Sequence, residues 1–361
     1  MSAYEAYRRT RFFASLDGLR CLSILAVIWH HAGWQKVPGE WALAGTGYLG
    51  VHLFFVISGF LITTLLLRER EDTGRISLRD FYIRRSLRIF PLYYTVVGLY
   101  VLTVFLFERN SADAREFFAN LPLFLTYTSN WFIQLEGRVI FYFAWSLAAE
   151  EQFYLVWPTI EKAFAGLAIP AIIGAVLLAR AVVERTAPQA GLWATILLSI
   201  PPAILSGVLL AHVLHAPRTF ALAEKLLGQT WFGPAALAGL IVSMAFLAPK
   251  WLIWTCMTLL VGAAVVRERN GLPFLRWRAL AYLGTISYGM YLLHMLCYNV
   301  VKRALPSHEA LWLPATLALT VVVASISWHY YESRFLALKK RFAAPSGPRR
   351  QPAPQAVQPV G

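Results

Sequence analysis

Long apolar runs joined by short, arginine-rich connections set the pattern of this chain. Runs of spanning length fall at residues 18–34, 48–67, 90–107, 142–163, 166–183, 192–214, 229–248, 250–267, 278–302 and 310–334. Each comes near the roughly 20 residues that a helix needs to cross a bilayer's hydrocarbon. A further apolar stretch, 117–134, is interrupted by Pro122, Ser129 and Asn130 and reads as re-entrant or interfacial. The pattern predicts an all-α, polytopic membrane helix bundle with about ten transmembrane helices plus one re-entrant segment. An eleventh span at 117–134 is the competing count.

Composition agrees. Of 361 residues, 58% are hydrophobic and 14% charged, against about a quarter charged in a soluble domain. A net charge of +14 would suit nucleic acid if it covered a soluble surface, but the cations gather in short connections, so no nucleic acid is expected. Seven arginines lie between Arg68 and Arg88, with further groups at Arg218/Lys225, Arg267/Arg269/Arg276/Arg278 and Lys339/Lys340/Arg341. If Arg8, Arg9 and Arg11 are cytoplasmic, ten crossings place every group on that side and eleven do not. Both termini are therefore expected in the cytoplasm, with the chain in a plasma (inner) membrane. Residues 1–15 read as a cytoplasmic segment, 16–335 as the membrane domain, and 336–361 as a basic, Pro-rich, disordered tail. The first run lacks a small-residue cleavage site and reads as a retained span. Cys21, Cys256 and Cys297 have no metal-ligand spacing and imply no disulfide framework.

Candidate chemistry sits inside the runs. Arg20 and His31 bracket the first; on one helix they stand roughly 16 Å apart, about half the hydrocarbon thickness. A histidine there needs polar partners, which makes it a functional candidate. Its neighbour His30 points about 100° away, and spacing alone does not choose between the two. Ser58-Gly59 in the second span either packs helices closely or opens room for a slender ligand. Arg84 and Arg88, four apart, offer guanidinium forks to phosphate or to anionic lipid headgroups. Glu150 and Glu151 open a later span among Trp145, Phe153 and Tyr154, where one carboxylate could orient a histidine. Ser287, Tyr291 and His294 share one helical face, as helix-helix glue or cavity lining. Glu332, at the end of the last span, reads as an arginine's partner. His212, His215 and His308 receive no role.

Several motifs in order resemble the acyltransferase 3 family, membrane enzymes that O-acylate sugars and related acceptors from acyl-coenzyme A. The resemblance runs from Leu16 to about Phe335. It comprises Arg20-x10-His31, Phe54-Phe55-Val56-Ile57-Ser58-Gly59-Phe60, Arg84-Arg85-x-x-Arg88-Ile89-x-Pro91, Ser146-Leu147-Ala148-Ala149-Glu150, Ile286-Ser287-Tyr288 through His294, and a closing stretch at Glu332. The resemblance selects His31 over His30. It implies that His31 is the general base and Glu150 its orienting partner. Arg20, Arg84, Arg88, Ser58 and Gly59 would then bind cytoplasmic acyl-CoA, most simply acetyl-CoA. A substrate pocket would include His52, Trp145, Ser146, Tyr288, Tyr291 and His294. Acyl-CoA is expected as co-substrate, with no metal and no tightly bound cofactor. Transfer would reach a carbohydrate or glycoconjugate hydroxyl, directly or through an acyl-histidine. His52 stands where many members carry Asp. Some members add a soluble hydrolase-like domain after the last span; with only a short tail here, transfer is expected within the membrane domain or with a partner. The competing classes are a transporter or flippase using His and Glu as a proton relay, and a non-catalytic membrane protein.

Overall fold

The computed structural model describes residues 2–32, 45–134, 138–267 and 271–342. The tail segment Ala343 to Gly361 and Arg269 of the basic groups lie outside the described residues. Every regular element among the described residues is helical. Helix α1 (Ala3–Arg9) opens with a capping box between Ser2 and Glu5 and bends by 67° into α2 (Ala14–His31). Helix α3 (Gly50–Thr73) stops at Gly74, whose φ of 77° suits a residue without Cβ. Ser77 caps α4 (Leu78–Phe107) by accepting the Asp80 amide.

The segment expected to be broken forms α5 (Ala112–Leu125) and α6 (Ser129–Phe132). Tyr127, between them, has φ 54° and stacks on Tyr93 at 4.3 Å. Next come α7 (Ala144–Ala163), α8 (Ala168–Thr186), α9 (Leu192–Ser199) and α10 (Pro202–His215). Ile200 and Pro201 separate the last two, which meet at 49°, and Pro202 opens α10. The chain continues through α11 (Pro217–Leu227), α12 (Phe232–Ala245), α13 (Lys250–Val266), α14 (Arg278–Thr285) and α15 (Ser287–Ala304). Finally α16 (Trp312–Ser327) passes through a π-helical turn, Trp328–Glu332, into α17 (Ser333–Lys339).

Three helical stretches among the described residues are long and apolar enough to cross a membrane: Gly47–Thr73, Leu78–Phe107 and Glu309–Lys339. Counting each bent pair as one span raises the number to seven. The expected ten goes beyond this count for physical reasons. Glu150, Glu151, Glu161 and Lys162 on α7, and Arg180, Glu184 and Arg185 on α8, lower the apolarity of those helices, and α13 has only 17 residues. The outward surface is nonetheless apolar, with Leu102, Leu178 and Phe246 more than half exposed, a pattern that fits lipid better than water.

Helices α2 and α3 hold the centre, burying Leu19, Ile24, Ile28, Phe55 and Phe60. Close backbone approaches fix them. A Cβ on Gly59 would run into the Ile204 carbonyl of α10, and one on Gly207 into the Val56 carbonyl of α3. Gly284 of α14 likewise rests on the Asp17 carbonyl of α2. At one end of the bundle Arg8 pairs with Glu71, Arg68 donates to the carbonyls of Thr10 and Tyr7, and Arg84 donates to that of Phe342. At the other, Arg138 bridges Glu108 and Asp113 at 2.9 Å, and its hydrogen bond with Glu108 holds it above its ordinary pKa.

Candidate active site

His31, in the last turn of α2, meets His294 of α15: Nδ1 of His31 lies 2.9 Å from Nε2 of His294. The rings stack with centroids 5.0 Å apart. The direction of this bond follows from the next one. His294 Nδ1 lies 2.6 Å from the Tyr291 carbonyl, which can only accept, so Nδ1 of His294 carries the proton. In a neutral ring Nε2 is then an acceptor. His31 must therefore donate from Nδ1, leaving the lone pair on its Nε2. That is the arrangement of an oriented base: one nitrogen held, the other free for a substrate proton. Tyr142 packs edge-on against the His31 ring at 5.5 Å.

Beside this pair lies a slender cavity of about 120 Å³ between α2, α3, α4, α7 and α15. Arg20, Arg85 and Arg88 line its cationic part. Arg20 is paired with Asp17 at 2.7 Å. Arg85 lies over the Tyr154 ring and Arg88 over the Trp328 ring. Among the described residues no carboxylate comes within ion-pair distance of Arg85 or Arg88. Such guanidinium groups are suited to an incoming phosphate. Ser58 and Tyr154 both donate to Glu150, and Glu151 lines the same cavity. At its far wall the Ser146 and Tyr291 hydroxyls touch, and the Tyr291 ring sits 5.7 Å from that of His294. The cavity and the histidine pair are thus one side chain apart.

The structure distributes the sequence candidates unevenly. Arg20, Arg88, Ser58, Glu150, Ser146, Tyr288 and Tyr291 meet around the cavity. Arg84 does not: it is tied to Glu69 at 2.9 Å and to Phe342. Gly59 faces α10 and serves packing. Glu150 bonds to Ser58 and Tyr154, and the group bonded to His31 is His294. His52 and Trp145 line a separate cleft, where His52 accepts from the Trp254 indole at 2.7 Å. Glu332 is buried and accepts from Ser327 at 3.1 Å.

Arg85 and Tyr154 receive no role from the sequence, and Glu151 enters it only as one of two adjacent carboxylates, of which the resemblance prefers Glu150. A signal for Arg85 exists: Phe81, Arg85, Arg88 and Leu92 follow the spacing of one helical stripe, and Phe81 and Leu92 are buried. Arg84, three after Phe81 and four before Arg88, fits the same spacings, so this signal admits Arg85 without excluding Arg84.

Comparison with known proteins completes the picture. A family model described as an acyltransferase domain matches residues 13–329. A Bacillus subtilis (strain 168) protein that carries the provisional name peptidoglycan O-acetyltransferase YrhL is 30% identical over 91% of this chain and 56% of its own length. Peptidoglycan O-acetyltransferase OatA of Listeria monocytogenes is 28% identical over 90% of this chain and 56% of its own. A Staphylococcus aureus (strain COL) protein, provisionally named an O-acetyltransferase, is 37% identical over 44% of this chain and 26% of its own. The chain thus spans about half the length, or less, of these curated relatives. No solved structure matches it.

Proposed function

The chain belongs to the acyltransferase-domain family, and from that premise we propose that it moves an acyl group, most simply acetyl, from acyl-CoA to a hydroxyl of a carbohydrate or glycoconjugate. The observation that carries this reading is the arginine-lined cavity that ends one side chain from the oriented pair His31–His294. Arg20, Arg85 and Arg88 receive the phosphates of the donor, and its narrow arm runs past Ser58 toward Ser146 and Tyr291. His31 Nε2 takes the proton of the acceptor hydroxyl, the oxygen attacks the thioester carbon, and the C–S bond breaks. The leaving thiolate recovers the proton from His31. His294 is a positioning residue that fixes the tautomer of His31.

Ten crossings in a plasma membrane, with α1 and the arginine-rich connections on the cytoplasmic side, supply acyl-CoA from the compartment where it is made. The opposite end, near Glu108, Asp113 and Arg138, then faces outward. The acceptor named for the Bacillus and Listeria relatives puts a cell-wall glycan first among candidates.

The test is turnover of radiolabelled acetyl-CoA in membrane vesicles, at matched expression, for wild type, His31→Ala and His294→Ala. Loss of general-base assistance lowers turnover by about 10² to 10⁴ in His31→Ala, with a smaller loss in His294→Ala. If the wild-type chain neither binds nor consumes acetyl-CoA or longer acyl-CoAs, the reading fails.

A further inference from the structure

Beyond the donor cavity lies a wider cleft of about 650 Å³, bordered by His52, Trp145, Trp251, Trp254 and Lys250. An apolar groove of about 200 Å³ adjoins it, walled by Phe153, Val156, Ile160, Ile173 and Val176. The two share Ser199, Ile200 and Pro201 at the break between α9 and α10. They read as one surface that changes character along its length. Helix α8 shows the change on a single stripe: Ile172, Ile173 and Val176 face the groove, while Leu177, Arg180 and Glu184 face the cleft. Residues three and four apart share a helical face, so the stripe passes from apolar to charged without turning away.

We infer that this continuous surface holds one amphiphile: a glycosyl headgroup in the cleft, joined through phosphate to a hydrocarbon chain in the groove. Indole faces suit the apolar faces of sugar rings. Arg180 stands where the surface changes from apolar to polar. Its described hydrogen bonds, to the carbonyls of Leu197, Leu198 and Ile200, all run from Nη1. Nη2 and Nε make no hydrogen bond among the described residues and can meet a phosphate, and Lys250 adds a second cation that outweighs the one carboxylate there, Glu184. The site also faces the chemistry. Phe55 lines both the cleft and the donor cavity. A row of rings, Trp254–His52–Tyr48–His30–His31, leads from the cleft to the base, with centroid steps of 5.9, 6.1, 5.8 and 5.1 Å. Resting on the acyltransferase reading, the assignment makes the acceptor a lipid-linked glycan. Lipid is as apolar as the groove. The chain therefore contributes register and confinement to the membrane plane more than transfer free energy, and confinement raises the effective concentration of the sugar.

The experiment compares two acceptors with the reconstituted full chain: a disaccharide joined by diphosphate to a long prenyl chain, and the same disaccharide without it. The prenyl-linked acceptor should be used with kcat/KM at least about tenfold higher. Val176→Trp, which fills the groove, should erase that preference while leaving the KM for acetyl-CoA and the rate on the free disaccharide unchanged. Equal use of both acceptors, or a preference that survives Val176→Trp, overturns the assignment and favours entry past Tyr142. A photoreactive prenyl-diphosphate disaccharide supplies a readout independent of catalysis. It should label α7 or α8 in wild type, less in Val176→Trp, and resist competition by phosphatidylglycerol. Full competition by that phospholipid means bilayer lipid alone fills the groove, and overturns the assignment. Labelling as expected without acetyl-CoA turnover would instead sink the acyltransferase reading.

Discussion

Three arginines of one helix have different work. Arg85 and Arg88 line the cavity proposed for the donor, Arg85 over the Tyr154 ring, whereas Arg84 is spent on Glu69 and on the carbonyl of Phe342. A charge-assisted hydrogen bond contributes about 1.5–3 kcal/mol, so Arg88→Ala or Arg85→Ala should raise the KM for acyl-CoA by about 10- to 100-fold. Arg84→Ala should leave that KM within about twofold and act on stability instead, because its pair with Glu69 is mostly buried and the change leaves that carboxylate without its cation. Steady-state kinetics on the three variants separate them. The sequence reading paired Arg84 with Arg88 because four-residue spacing puts two side chains on one face. It could not say which face turns inward, since that depends on what α4 packs against. The partner of His31 was hidden for the same reason. Glu150 looked like an orienting acid by residue type, while His294 lies 263 positions away from His31 and meets it only through the crossing of α2 and α15.

Helix packing explains what was legible. Ser58-Gly59 left two readings open, close packing or room for a ligand, and the structure divides them between the two residues. Ser58 turns to the cavity and Gly59 to α10. Adding side chains at this crossing forces backbones apart, so Gly59→Leu or Gly207→Val should cost roughly 1–3 kcal/mol or more. Thermal unfolding in detergent should show a clear drop for both. Gly98, with nothing within 4 Å of an added Cβ, should accept Ala without loss. The break at 117–134 was readable from Pro122, Ser129 and Asn130, and it falls at Thr126–Thr128. The bend at α14–α15 was not, because a run of apolar residues looks the same whether its axis is straight or turned; that at α9–α10 carried a signal, Pro201-Pro202, inside a run read as one span.

At the scale of the whole molecule, the alternation of apolar runs and basic connections carried the helical class and the ends of most helices. It did not establish how many helices cross, since those that border the cavities carry charge where a lipid-facing helix would not. The proposed orientation predicts that a thiol reagent confined to one side of sealed vesicles labels Thr73→Cys and Ser111→Cys from opposite faces; labelling from the same face would refute it. One more consequence follows from the Tyr291 carbonyl. Because His294 Nδ1 is already committed to an oxygen that accepts no proton, a proton handed from His31 to His294 has nowhere further to go. On the proposed mechanism the pair is a dead end, and the proton taken from the acceptor would return through the nitrogen that received it. Acyl groups could then be passed from one side of the membrane to the other without spending the proton-motive force. Liposomes loaded with a pH-sensitive dye should accordingly hold an imposed gradient during turnover as well as liposomes carrying His31→Ala.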